Sequence, residues 1–128
     1  MKKIFYIQNI SLLISVLIVV PVAFIYGFQP KSLFDIHPKT TDENNILKAV
    51  MGLYFAFSGL WILGILKPSF WKAATISNLL FMFGLAFGRM ISIFLDGIPS
   101  TLFVLGTIGE VVLGIYSLLQ YRKFNDSL

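Results

Sequence analysis

The sequence predicts an all-α integral membrane protein, with four antiparallel transmembrane helices in one bundle and both termini on the cytoplasmic side. Three observations carry this expectation. Hydrophobic residues make up 57% of the 128 residues and charged residues only 12%, against roughly 25% charged in an ordinary soluble domain. Four apolar stretches are each long enough to cross a bilayer core, which takes about 20 residues of helix. No strand-like alternation competes, and a bilayer core admits only helices or closed barrels. The mean hydropathy of +0.85 agrees, because a soluble chain this short leaves too much of its area exposed to hide so many apolar side chains. The length suits one domain covering residues 1–128.

The first span is expected over about residues 4–28. Lys2 and Lys3 precede an apolar run that continues through Pro21 to Phe28. A basic start before an apolar run can mark a signal peptide, but no A-x-A-like cleavage site follows, so the segment reads as a retained signal-anchor helix. Residues 29–40 form the longest and most polar connection, placed on the outer side. His37 lies there beside Asp35; a metal site needs more ligands, and none is expected. Thr40 and Glu43 have the spacing of a capping box, in which each side chain satisfies a free backbone N–H of the other residue. The second helix is therefore expected from Thr41 to Leu66, its apolar part starting near Ile46. The third is expected over 73–96 and the fourth over 101–120. They are joined by D-G-I-P-S, where Gly97 suits the left-handed residue that ends a helix. Pro99 and Ser100 suit the start of the next one.

Charge placement sets the orientation. With the N-terminus inside, Lys2, Lys3, Lys67, Lys72, Arg122 and Lys123 all lie on the cytoplasmic side. Only Lys31 and Lys39 lie outside, with Lys48 just within the second helix, as the positive-inside rule requires. Trp71 and Tyr121 fit an inner aromatic belt. The net charge of +4 comes from scattered groups beside apolar runs. It marks membrane flanks rather than a nucleic-acid surface. The chain has no Cys, which excludes disulfides and thiolate chemistry. No cofactor is expected. The expected partners are membrane lipids and, for a transport role, further copies of the chain, since four helices rarely enclose a full pathway.

Projected at 100° per residue, Asn78, Met82, Leu85, Arg89, Ser92 and Asp96 share one face of the third helix. Polar groups within a span face protein or water rather than lipid, so this stripe should point into the bundle. Arg89 lies about 10 Å below the outer end of its helix and Glu110 about 14 Å below the start of the fourth. Their depths are comparable, and an unpaired Arg in a span costs at least ~2.5–3.5 kcal/mol. Pairing of Arg89 with Glu110 is expected, with Asp96, two turns above on the same face, as the alternative partner. Gly106, Thr107, Gly114 and Ser117 share the face of Glu110, where small residues admit a close neighbour. Gly84 with Gly88, and Gly52 with Gly59, offer the same on the third and second helices. Tyr54 reaches the depth of Glu110. The candidate polar cluster is thus Arg89, Glu110, Asp96, Ser92, Lys48 and Tyr54. On the first helix, Gln8, Ser11 and Ser15 suit plain interhelical hydrogen bonds. A carboxylate at a helix C-terminus opposes the macrodipole, so Asp96 needs a compensating role, in the turn or in a pair.

The run A-F-G-R-M-I-S-I-F-L-D-G-I-P-S, followed by a helix with a central Glu in G-E-V-V-L-G, resembles small bacterial membrane proteins of the domain-of-unknown-function family 4345. The stretch K-A-V-M-G-L-Y-F-A-F-S-G-L-W is similar too, although the family often has Arg in place of Lys48. The resemblance implies a four-helix protein of the bacterial cytoplasmic membrane without an assigned activity. It singles out Arg89, Ser92, Asp96, Gly97, Pro99 and Glu110.

Three functional classes follow. The first is an outward-half pocket that binds a small charged or lipid-like ligand. The second is a structural or accessory subunit whose Arg–carboxylate cluster only fixes helix packing. The third is an enzyme acting on a lipid-like substrate, with Glu110 or Asp96 as general base. No catalytic signature supports the third: H-E-x-x-H, G-x-S-x-G and the P-loop are all missing, and no span carries His. Binding is the favoured expectation, and a cavity lined by Arg89 and Glu110 is its discriminating observation.

Overall fold

The computed structural model describes residues 6–127. Lys2, Lys3 and the expected start of the first span at Ile4 lie outside the described residues. Helix α1 covers Ile10–Phe28 after a 3-10 turn at Ile7–Asn9. Pro21 lies inside α1. It removes one backbone donor, and neighbouring helices make such an interruption tolerable in a span. The connection after α1 is not a plain loop: Pro30–Leu33 form a single-turn helix, α2, with proline at its first position, where the missing N–H costs nothing.

Helix α3 covers Thr41–Leu66. Its start is the expected capping box. Glu43 N–H donates to Thr40 Oγ1 at 3.1 Å, and Thr40 N–H donates to Glu43 Oε2 at 3.2 Å. A 3-10 turn at Pro68–Phe70 leads into α4, Trp71–Asp96, so the third helix starts two residues before the expected position. It stops at Gly97, whose φ of +100° lies in the region that favours glycine. Helix α5 covers Thr101–Phe124, one turn longer than expected. Ser100 is its N-cap residue, yet its hydroxyl makes no capping hydrogen bond.

All four long helices are long and apolar enough to cross a membrane. Their outward faces carry Leu17, Phe24, Leu53, Phe87, Phe94 and Leu105, the surface that lipid requires. Helix α1 packs along α3, and α4 along α5; α3 and α4 also touch extensively, whereas α1 and α5 meet over a short stretch only.

One end of the bundle gathers Gln8, Trp71 and Tyr121. Trp71 Nε1–H donates to the Gln8 carbonyl at 2.9 Å, and its ring stacks on Tyr121 with centroids 6.2 Å apart. Trp71 is 1% exposed. It is therefore a core residue rather than the expected membrane-belt anchor. Its N–H finds a protein acceptor, which removes the reason for an interfacial position. The other end gathers Tyr26, Phe34 and Phe103, with Phe34 4.9 Å from the Tyr26 ring and 5.4 Å from the Phe103 ring.

Between the ends, Asn78 joins three helices. Its Oδ1 accepts from Ser15 of α1 at 3.2 Å and from Ser117 of α5. The expectation of plain hydrogen bonding thus holds for Ser15; Ser11 is buried without a partner for its hydroxyl. The close approaches that glycine permits occur at Gly27, Gly64 and Gly114, where an added Cβ would collide with Met51, Ala74 and Phe83 respectively. Gly52, Gly59, Gly84 and Gly88 meet nothing within 4 Å. Their spacing puts them on exposed faces, so within this chain they are not the packing positions that the sequence suggested.

Candidate functional site

Arg89 projects from the C-terminal half of α4 towards α5. Its Nε–H donates to both carboxylate oxygens of Glu110, at 2.9 and 3.1 Å. The depth argument therefore identifies the right partner, and Asp96 is not it. The two side chains retain 24% and 12% exposure, so the pair is neither sealed in the core nor turned out to the surface. The Nη2 of Arg89 lies 3.5 Å from Tyr26 Oη on α1. The Phe103 ring, seven residues before Glu110 on α5, lies 5.5 Å from the guanidinium carbon. This cation–π contact, the ion pair and the tyrosine together compensate a charge removed from water.

Tyr54 closes the site from α3. It is 6% exposed and meets Tyr26 edge-on, with ring centroids 5.8 Å apart. Behind it, Phe81 at 5.0 Å and then Trp61 at a further 5.1 Å continue an aromatic ladder into the core. Tyr54 lines the same cavity as Arg89 and Glu110.

The pair lines a cavity of about 310 Å³. Its walls are Val22 and Tyr26 of α1, Tyr54 of α3, Leu85 and Arg89 of α4, and Gly106 and Glu110 of α5. Ile18 and Leu105 also line it and are 48% and 59% exposed. The cavity therefore opens sideways, between α1 and α5, where these helices barely touch. A small cavity with an apolar wall and a few convergent polar groups is the usual form of a ligand pocket.

The remaining candidates lie elsewhere. Ser92 and Asp96 are exposed and bond to each other, Ser92 Oγ donating to Asp96 Oδ2 at 2.9 Å. Helix α4 has no buried residue beyond Ala86. The last turns of α4 are mostly exposed, so sharing a face with Arg89 no longer means facing protein. Ser92 lines a separate crevice between α3 and α4, on the other side of Arg89. Lys48 is exposed, and its Nζ lies 5.7 Å from the Phe28 ring. It lines a shallow crevice by the connection between α1 and α3 and takes no part in the Arg89 pocket. Lys48 precedes Tyr54, the α3 residue that lines the site, by six residues, about 9 Å of helix, and so falls short of it. In the connection itself, His37 Nε2 pairs with Asp35 Oδ1, and the described residues contain no metal-binding group of three or more His, Cys, Asp or Glu.

Two contributors are absent from the sequence reading, Tyr26 and Phe103. Phe103 has a local signal, since a seven-residue spacing puts it on the face of Glu110. Tyr26 has none, because its approach to Arg89 depends on how α1 crosses the bundle.

A family model described as a domain of unknown function (DUF4345) matches residues 7–121. The chain belongs to that family. The match spans α1, α3, α4 and all but the last three residues of α5, with the whole Arg89–Glu110 pocket, so the pocket is part of the DUF4345 domain. No curated protein and no solved structure matches the chain.

Proposed function

We propose that this DUF4345 protein is a small single-domain integral membrane protein of the bacterial cytoplasmic membrane. Its four spans run antiparallel with both termini inside, and its outer-half pocket binds a lipid-like ligand beside Arg89 and Glu110. The cationic residues at 67, 72, 122 and 123 support this orientation by the positive-inside rule. The observation that carries the binding role is the cavity of about 310 Å³ with the ion pair in its wall and its mouth between α1 and α5. A pair that only locked two helices would need no such space beside it.

The test is thermal unfolding of delipidated protein with and without a total extract of bacterial membrane lipid. Gly106→Leu is the comparison, because a Cβ at Gly106 meets nothing within 4 Å and the longer side chain grows into the cavity. A ligand that binds only the folded state at 100 times its Kd adds about 2.7 kcal/mol. The wild-type midpoint should rise and the variant midpoint should not. The direct two-oxygen contact of Arg89 Nε with Glu110 favours a second reading, helix locking without a ligand. Equal responses of the two proteins would support that reading instead.

A further inference from the structure

The pocket's charge balance and its hydrogen-bonding groups specify the kind of headgroup it accepts. We propose that it takes an uncharged amphipath from the bilayer, with a carbonyl or hydroxyl oxygen as headgroup and an apolar tail leaving between α1 and α5. This rests on the reading of the cavity as a ligand pocket.

Arg89 is the single cation lining the cavity and Glu110 the single anion. They satisfy each other directly, so the pocket is neutral. Lys48, which could have held a phosphate or carboxylate, stands on a different crevice. An anionic headgroup next to Arg89 would sit against the Glu110 carboxylate. A cationic headgroup next to Glu110 would sit against the guanidinium. In an apolar wall either repulsion is weakly screened, and an unmatched charge of this kind is how sites reject ligands.

The hydrogen-bonding groups then choose among neutral ligands. Tyr26 Oη is close to Arg89 Nη2 as an acceptor, which leaves its own O–H to donate. Tyr54 is in the wall, and its hydroxyl enters none of the described hydrogen bonds. The bonds of Arg89 use Nε and Nη2 and leave Nη1. Each can donate, Nη1 through its N–H and the two tyrosines through their O–H, so an acceptor oxygen is a complementary ligand atom.

The route follows from the walls. Ile18, Val22, Leu102, Leu105 and Leu113 surround the polar groups with hydrocarbon, and Ile18 and Leu105 are exposed at the mouth. About 310 Å³ is near the small end of ligand pockets, which run from roughly 300 to 1,000 Å³. It holds a headgroup and the first part of a tail, and the rest continues into the bilayer.

Photo-crosslinking in nanodiscs tests this. Three ten-carbon probes with the same tail diazirine carry a hydroxyl, a sulfate ester or a quaternary ammonium. Labelled positions are mapped by peptide mass spectrometry. The hydroxyl probe should label the segments around Ile18–Val22 and Leu102–Leu105 about tenfold more than either charged probe, a preference equivalent to about 1.4 kcal/mol. Gly106→Leu should abolish that labelling; Gly109→Leu serves equally if the first variant fails to fold. Glu110→Gln leaves the Arg89 charge unmatched and should turn the preference towards the sulfate ester. Labelling by a charged probe equal to that by the alcohol, still blocked by Gly106→Leu, overturns the headgroup class and leaves the ligand pocket standing. Labelling of these segments that is unchanged by both glycine variants overturns the pocket itself.

Discussion

At the residue scale, Arg89 and Glu110 are interdependent. Each is largely withdrawn from solvent, and each is the other's compensation. Removing one leaves the other unmatched, which is the costly event for a withdrawn ion pair, whereas replacing both by apolar groups of similar size can be nearly neutral. Arg89→Ala should therefore lower unfolding stability by about 2–4 kcal/mol, somewhat below the range for full burial because the pair borders the cavity. Arg89→Met combined with Glu110→Leu should recover most of that loss while losing ligand response. A double-mutant cycle by thermal unfolding measures both. Asn78 makes a second residue-scale case. Asn78→Ala removes the acceptor for Ser15 and Ser117. Helix serines can turn back to the preceding carbonyl, so the loss should be modest, about 1–2 kcal/mol in the same assay.

At the element scale, helix limits and helix contacts divide what local chemistry dictates from what packing decides. The capping box at Thr40 and Glu43 is written in four consecutive residues, and it forms. Thr40→Ala should cost about 1 kcal/mol, read from the unfolding midpoint. Gly97 is equally legible, because its turn needs a positive φ at a fixed place. The Arg89–Glu110 pair was legible from depth alone, since helical rise converts residue counts into ångströms. Face assignments fared differently. The stripe from Asn78 to Asp96 faces protein only as far as neighbouring helices extend, so Ser92 and Asp96 end up exposed. Glycine spacing likewise misleads: Gly84 and Gly88 have the small-xxx-small pattern and meet nothing, while Gly114 is the position pressed against Phe83. A period says which residues share a face, not which helix that face meets. Gly114→Leu should accordingly force α4 from α5 and cost about 1–3 kcal/mol. The matching change at Gly84 should be nearly silent.

At the scale of the whole molecule, uneven packing makes the site. Two tightly packed helix pairs, α1 with α3 and α4 with α5, are held together at one end by Trp71, Gln8 and Tyr121. Towards the other end Phe34 bridges Tyr26 of α1 and Phe103 of α5, and the cavity lies below it, where the exposed Ile18 and Leu105 mark its mouth. The hydrophobic excess made the membrane class readable from composition. The cavity was not readable, because it arises from the crossing of helices far apart in sequence. The absence of native Cys makes topology directly testable. In intact cells, Ser32→Cys should react with an impermeant maleimide and Ser69→Cys should react only after permeabilisation. The reverse pattern would invert the orientation.

The central claim is that the space beside Arg89 and Glu110 holds a lipid-like molecule. Native mass spectrometry of the protein released gently from membranes tests it most directly. Wild type should carry one apolar adduct that full delipidation removes, and Gly106→Leu, with its ion pair intact, should lack it. Identical adduct patterns in the two proteins would contradict the account.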